Sequence, residues 1–256
     1  MRSLRLLKIA ALLASGCALA AEVPVEFHLA DETGLSQTQQ RALTAEYSAW
    51  AQRIYSYLHV AQPAPVNVVI SRHAHVGMYV DDKLYMPADD HDEMLETFIH
   101  ELSHQATGHD SSFFYKEGIA THTLEALYAQ DKKIPQGWPQ YGEACDAWIA
   151  LFAARGQLLS LREALDWPGY DGKNPEGDYR SWQIYLMGGS FAGWYIATYG
   201  YDAYKRAFDT QQLPEAAEKL QRRWLASIKA KSWAPFDAAQ ALPQGPRYQG
   251  FSNRLK

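Results

Sequence analysis

Cysteine is nearly absent from this chain, with two in 256 residues. A cationic excess is missing too. The 24 Lys and Arg are outnumbered by 29 Asp and Glu, giving a formal charge of −5 that argues against nucleic acid as a partner. No apolar run reaches the roughly 20 residues that a membrane-spanning helix needs. The sequence shows no internal repeat and no low-complexity segment, so solenoid and tail-like architectures are excluded.

The N-terminus reads as a secretory signal, residues 1–20. Arg2, Arg5 and Lys8 supply the charged region, Ile9 to Gly16 the apolar core, and Ala18-Leu19-Ala20 a small-residue cleavage site. A second reading takes Ala14-Ser15-Gly16-Cys17 as a lipobox, making Cys17 the lipid-anchored first residue of a membrane-attached lipoprotein. Cleavage after Ala20 leaves 236 residues and removes three positive charges, moving −5 to −8. That length suits one domain over 21–256, with a sheet-containing part over about 21–130 and a helical part over about 131–256. Cys145 is then the sole cysteine, which rules out an intramolecular disulfide and a cysteine-based zinc site. The expected location is the periplasm or the cell exterior.

The stretch that organises the chain is Phe98 to Ala120. His100 and His104 stand at i and i+4, on one face of a helix, where both imidazoles can reach one metal ion. Glu101 sits beside the first of them, as in an HExxH zinc site, where a glutamate serves as general base. At this chain's own His and Glu frequencies the pattern arises by chance in roughly one in sixty chains of this length. Leu95, Phe98, Ile99, Leu102 and Ala106 form an apolar stripe that backs the helix onto a core and leaves both histidines toward a cleft. Asp90 and Glu93 fit a capping box at its start.

A catalytic zinc site needs a third protein ligand. Glu117, Asp110 and His109 are the candidates. Glu117 lies near the start of a second helical run, Phe113 to Ala129, after a break at Thr107 to Ser112. Gly118 follows it, and close approach of a facing helix is a physical reason for a glycine there.

His100-Glu101-Leu102-Ser103-His104 with Glu117-Gly118-Ile119-Ala120 resembles the gluzincin metallopeptidases, specifically the small bacterial peptidase MA-like proteins with HELxH and EGxA motifs. Tyr185 to Gly200 resembles that family's downstream helix, and together these motifs cover about a quarter of the mature chain. The resemblance implies an α+β zincin-like fold, with a small N-terminal sheet over the HExxH helix and a mainly helical C-terminal half. It implies Zn2+ held by His100, His104 and Glu117, with Glu101 as general base and Tyr185 as oxyanion donor from the far wall. Gly188 and Gly189 would bring that segment close to the metal. Thr121 departs from the thermolysin-like form, which carries an aspartate there. The implied activity is zinc-dependent hydrolysis of peptide bonds in a peptide or protein substrate. The alternative from another class is a secreted protein that keeps a zinc site for binding or assembly without turnover.

Elsewhere, Val23 to His28 and Val66 to Ser71 read as strands, and Asp31 to Gly34 as a turn. Ser36 with Gln39 caps a helix carrying Leu43, Tyr47, Trp50, Ile54 and Leu58 on one face. His73 and His75 read as loop histidines. Gly77–Val80 and Lys83–Met86 read as a hairpin turning at Asp81-Asp82, and the resemblance makes it a substrate-pairing edge. Short helices are expected over Ala144–Ala154 and Ser160–Leu165, loops over Lys132–Gly142 and Trp167–Gly177, a helix through Tyr185 to Gly200, and another from Pro214. The tail from Pro235 reads as loosely wrapped. Most of the eight tryptophans and sixteen tyrosines stand at core spacing, so packing rather than sugar stacking explains them.

Overall fold

A computed structural model describes residues 25–255 except 62, 75–76, 88–90, 109–110 and 171–172. The expected signal segment, Cys17, His75, the cap at Asp90, and the alternative ligands His109 and Asp110 lie outside the described residues. The fold is α+β, with one small sheet followed by a mainly helical remainder.

Four strands build the sheet: β1 (Phe27–Asp31), β2 (Val66–Ser71), β3 (Met78–Val80) and β4 (Lys83–Pro87), in the order β1-β2-β4-β3. The first three in that order run parallel, and β3 lies antiparallel to β4 at an edge. Val66, Val68, Val69 and Ile70 are all buried, so β2 is covered on both faces, which is why it reads as a continuous apolar run. The first strand starts at Phe27, with Val25 and Glu26 ahead of it; Val23, the expected start, lies outside the described residues. Asp31 ends it by accepting from the backbone N–H groups of Thr33, Gly34 and Leu35, so the expected turn is there. The hairpin turns at Asp81 and Asp82, with φ of 49° and 58°, a left-handed pair that aspartate tolerates better than most residues.

Helix α1 (Gln37–Tyr57) crosses from β1 to β2, starting at a reciprocal Ser36–Gln39 capping box. The motif helix α2 (His91–Thr107) buries Phe98, Ile99 and Leu102 completely against the sheet side. A Cβ on Gly77 would fall 1.8 Å from Thr97 Cγ2, so the hairpin lies hard against α2. Gly108, at φ 88°, stops α2, and α3 (Phe113–Gln130) returns beside it.

The remainder is helical: α4 (Cys145–Ala154), α5 (Leu161–Leu165), α6 (Pro175–Tyr199), α7 (Tyr201–Thr210), α8 (Ala217–Lys229), α9 (Ala238–Ala241) and α10 (Pro246–Arg254). The Ser160–Glu163 capping box forms as expected. Asn174 caps α6 and Pro175 opens it, so the loop expected through Gly177 ends earlier. The tail does not wrap loosely. Phe251 of α10 is 2 % exposed and stacks on Trp182 at 5.1 Å, Arg247 forks onto Asp178 at 2.6 and 2.7 Å, and Arg254 pairs with Glu176.

The tightest helix crossing is α3 on α6. A Cβ on Gly118 would stand 2.8 Å from the backbone of Gly188, and one on Gly188 would stand 2.7 Å from Gly118 Cα. Close approach is therefore what Gly118 serves, and its partner is α6 rather than α2. Gly188 and Gly189 likewise face α3, the latter against Thr121 Cγ2, and not the histidine pair.

Candidate metal centre

His100 and His104 come from successive turns of α2, and Glu117 from the second turn of α3. Glu117 Oε2 lies 3.1 Å from Nε2 of each histidine. Their side chains are 12 %, 7 % and 6 % exposed for His100, His104 and Glu117, so the pair faces a covered site rather than an open groove. His100, Glu101 and His104 also bring one potential ligand atom each within 4.8 Å of one another. Two donors on one tetrahedral zinc at about 2.0–2.1 Å stand about 3.3–3.4 Å apart. The 3.1 Å spacings are close to that edge, so the two imidazoles and Glu117 fit a small divalent ion with little movement.

The electrostatics favour an anion at Glu117. Burial alone would raise its carboxyl, but hydrogen bonds from His100 and His104 outweigh this and hold it well below the usual carboxylate range. Burial pulls the His100 imidazole down, while the Glu117 hydrogen bond and charge outweigh that and shift it up. Lys116 Nζ adds a cation 3.6 Å from Glu117 Oε1. A proton on His100 therefore competes with a cation for this place, and a metal must displace it.

Comparison with protein families, with curated proteins and with solved structures found no match to this chain.

Tyr185 of α6 stands at the cluster. Its ring stacks on His100 at 5.9 Å and 28°, and its hydroxyl lies within the field of the Glu117 carboxylate. Burial, followed by the Glu117 and Glu101 charges, pushes its phenol well above the ordinary value, so it is a neutral donor. Tyr179 and Tyr195 belong to the core, 5 % and 2 % exposed. Thr121 is fully buried against Gly189. His73, at the end of β2, is exposed, as a loop histidine should be.

Residues that the sequence reading passed over complete the surroundings. Glu96, one turn before His100, is 6 % exposed and accepts from the N–H groups of Gln136 and Gly137 at 2.7 Å each. That carboxylate seats the loop carrying Trp138, whose ring meets Tyr185 edge-on at 5.5 Å and 77°. Arg247 covers Trp138 at 4.4 Å. The signal available in sequence was a carboxylate at i−4 from the first motif histidine, on the same helix face.

Proposed function

We propose that the protein is a zinc-dependent peptidase of the gluzincin kind, with His100, His104 and Glu117 as metal ligands. The observation that carries this is one carboxylate oxygen placed 3.1 Å from both imidazole nitrogens of an HExxH helix. Zinc, when bound, supplies Lewis-acid polarisation of a carbonyl and lowers the pKa of water from about 15.7 toward about 7. Glu101, next to His100 and half-buried, takes the proton of the attacking water and returns it to the leaving amine. Tyr185 donates to the oxyanion that develops on the carbonyl. The β3 edge beside α2 offers backbone groups for pairing with an extended peptide. The signal-like residues 1–20 support a periplasmic or extracellular setting for this activity.

The low exposure of the cluster favours one rival, a zinc-holding binding protein without turnover. Elemental analysis and a peptide-library digest separate the two. Glu117→Ala should lose stoichiometric zinc, whereas Glu101→Gln should keep zinc and lose hydrolysis. Zinc retained in Glu117→Ala and lost in Asp110→Ala would move the third ligand to Asp110. Full activity in Glu101→Gln would remove the general base, and a zinc-loaded wild type that cleaves nothing would leave the binding protein.

A further inference from the structure

A cleft of about 840 Å3 lies apart from the histidine pair. Its walls come from α1, α2, the loop after α3, and the tail, through Trp50, Leu95, Ile134, Trp138, Tyr141 and Tyr248. It falls within the size of ordinary ligand sites, which are apolar and aromatic with few polar groups. The cleft adjoins the metal cluster in two ways. Glu96 in its wall precedes His100 by one helical turn, about 6 Å along α2, and Trp138 borders both the cleft and Tyr185.

Charge selects the occupant. The two carboxylates in the wall are already engaged, Glu96 by the Gln136 and Gly137 amides and Asp131 by Arg53 at 3.1 Å. Glu96 thus spends both oxygens within the fold, and the cation Lys133 in the wall would repel a basic side chain. The indole faces that a sugar would use are partly taken. Arg53 covers a face of Trp50 at 3.9 Å and Arg247 a face of Trp138 at 4.4 Å. Ile134 is 43 % exposed at the rim, a large apolar side chain facing water with nothing to cover it.

We infer that this cleft binds the bulky neutral side chains, aromatic or branched aliphatic, of a peptide whose scissile bond lies at the cluster. Trp138 and Ile134 then set specificity. The inference rests on the peptidase reading, but binding can be read without catalysis, in the metal-free protein.

The test is calorimetric titration of the full chain in chelator with three probes. They are a capped phenylalanyl-leucyl-phenylalanine amide, a capped lysyl-seryl-lysine amide, and tri-N-acetylchitotriose. The apolar peptide should bind at least about tenfold more tightly than the basic one, with no heat from the saccharide. Ile134→Asp, at an exposed position that spares the fold, should remove most of that preference while zinc stoichiometry and thermal midpoint stay unchanged. Equal affinities, saccharide binding, or a preference that survives Ile134→Asp would each overturn the proposal. A zinc-loaded protein that cleaves no peptide yet keeps this preference would defeat the peptidase reading alone. Cleavage with no such preference would defeat the cleft alone.

Discussion

Tyr185 is placed to act as a hydrogen-bond donor that never ionises in the working pH range, because burial and two nearby carboxylates push its phenol up. An oxyanion donor of this kind is worth about 2.7–4 kcal/mol, so Tyr185→Phe should lower kcat by about 10² to 10³ with zinc retained. A fall of less than about threefold would remove it from the mechanism. The ligand cluster makes a second prediction. His100 is shifted up in the metal-free protein, so protons compete with zinc below that value, and affinity should rise with pH through the range above about 6.5. Competition titrations against a chromophoric chelator would show it; a flat profile would mean that His100 is not displaced of its proton. The His100–His104 pair was legible because i, i+4 spacing is local geometry, and Glu117 because a short break returns the chain beside it. Glu96 and Trp138 were not, since the hydrogen bonds from Gln136 and Gly137 to Glu96 that seat the Trp138 loop span about forty residues and follow from no periodicity.

At the scale of elements, the crossing of α3 on α6 is backbone against backbone. Gly118→Ala would drive a methyl to 2.8 Å from Gly188, and neither backbone can yield without parting the helices. Stability should drop by about 2–3 kcal/mol in urea unfolding, with weaker zinc binding because Glu117 moves with α3. Gly250→Ala is the control, since nothing lies within 4 Å of its Cβ position in α10 and helix propensity alone should stabilise by up to about 1 kcal/mol. If both substitutions behave alike, the crossing is not steric. Sequence pattern found α1, α2, α3 and the Leu220–Trp224–Ile228 stripe of α8, whose apolar faces repeat every three or four residues. It missed α7, though Tyr204, Ala207 and Phe208 make a buried stripe, because Gly200 stops α6 and the next helix begins without an intervening loop. The tail looked loose for a similar reason. Its last helix is short and rich in proline, glycine and polar residues, and the landing site on Trp182 with the Asp178 and Glu176 ion pairs orders it.

For the whole molecule, His122 ties early elements to late ones. It sits on α3, shares a 2.7 Å hydrogen bond with Tyr57 at the end of α1, and packs against Gly193 of α6. Burial pulls its imidazole down to about 4, opposed by the Asp146 charge. The unfolded chain binds that proton near pH 6.5 and the folded one only near 4, so stability is lost as pH falls through that window, by up to roughly 3 kcal/mol. Urea midpoints measured across it should slope in the wild type and flatten in His122→Gln; equal slopes would assign the loss to other groups. The tail that closes over α6 also imposes a schedule on synthesis. Arg247 and its partner Asp178 are 69 residues apart, which at about 5–20 residues per second separates their emergence from the ribosome by about 3–14 s. Until then the indole of Trp182 lacks the Phe251 ring that covers it, and the nascent chain carries an adhesive patch that the finished protein hides.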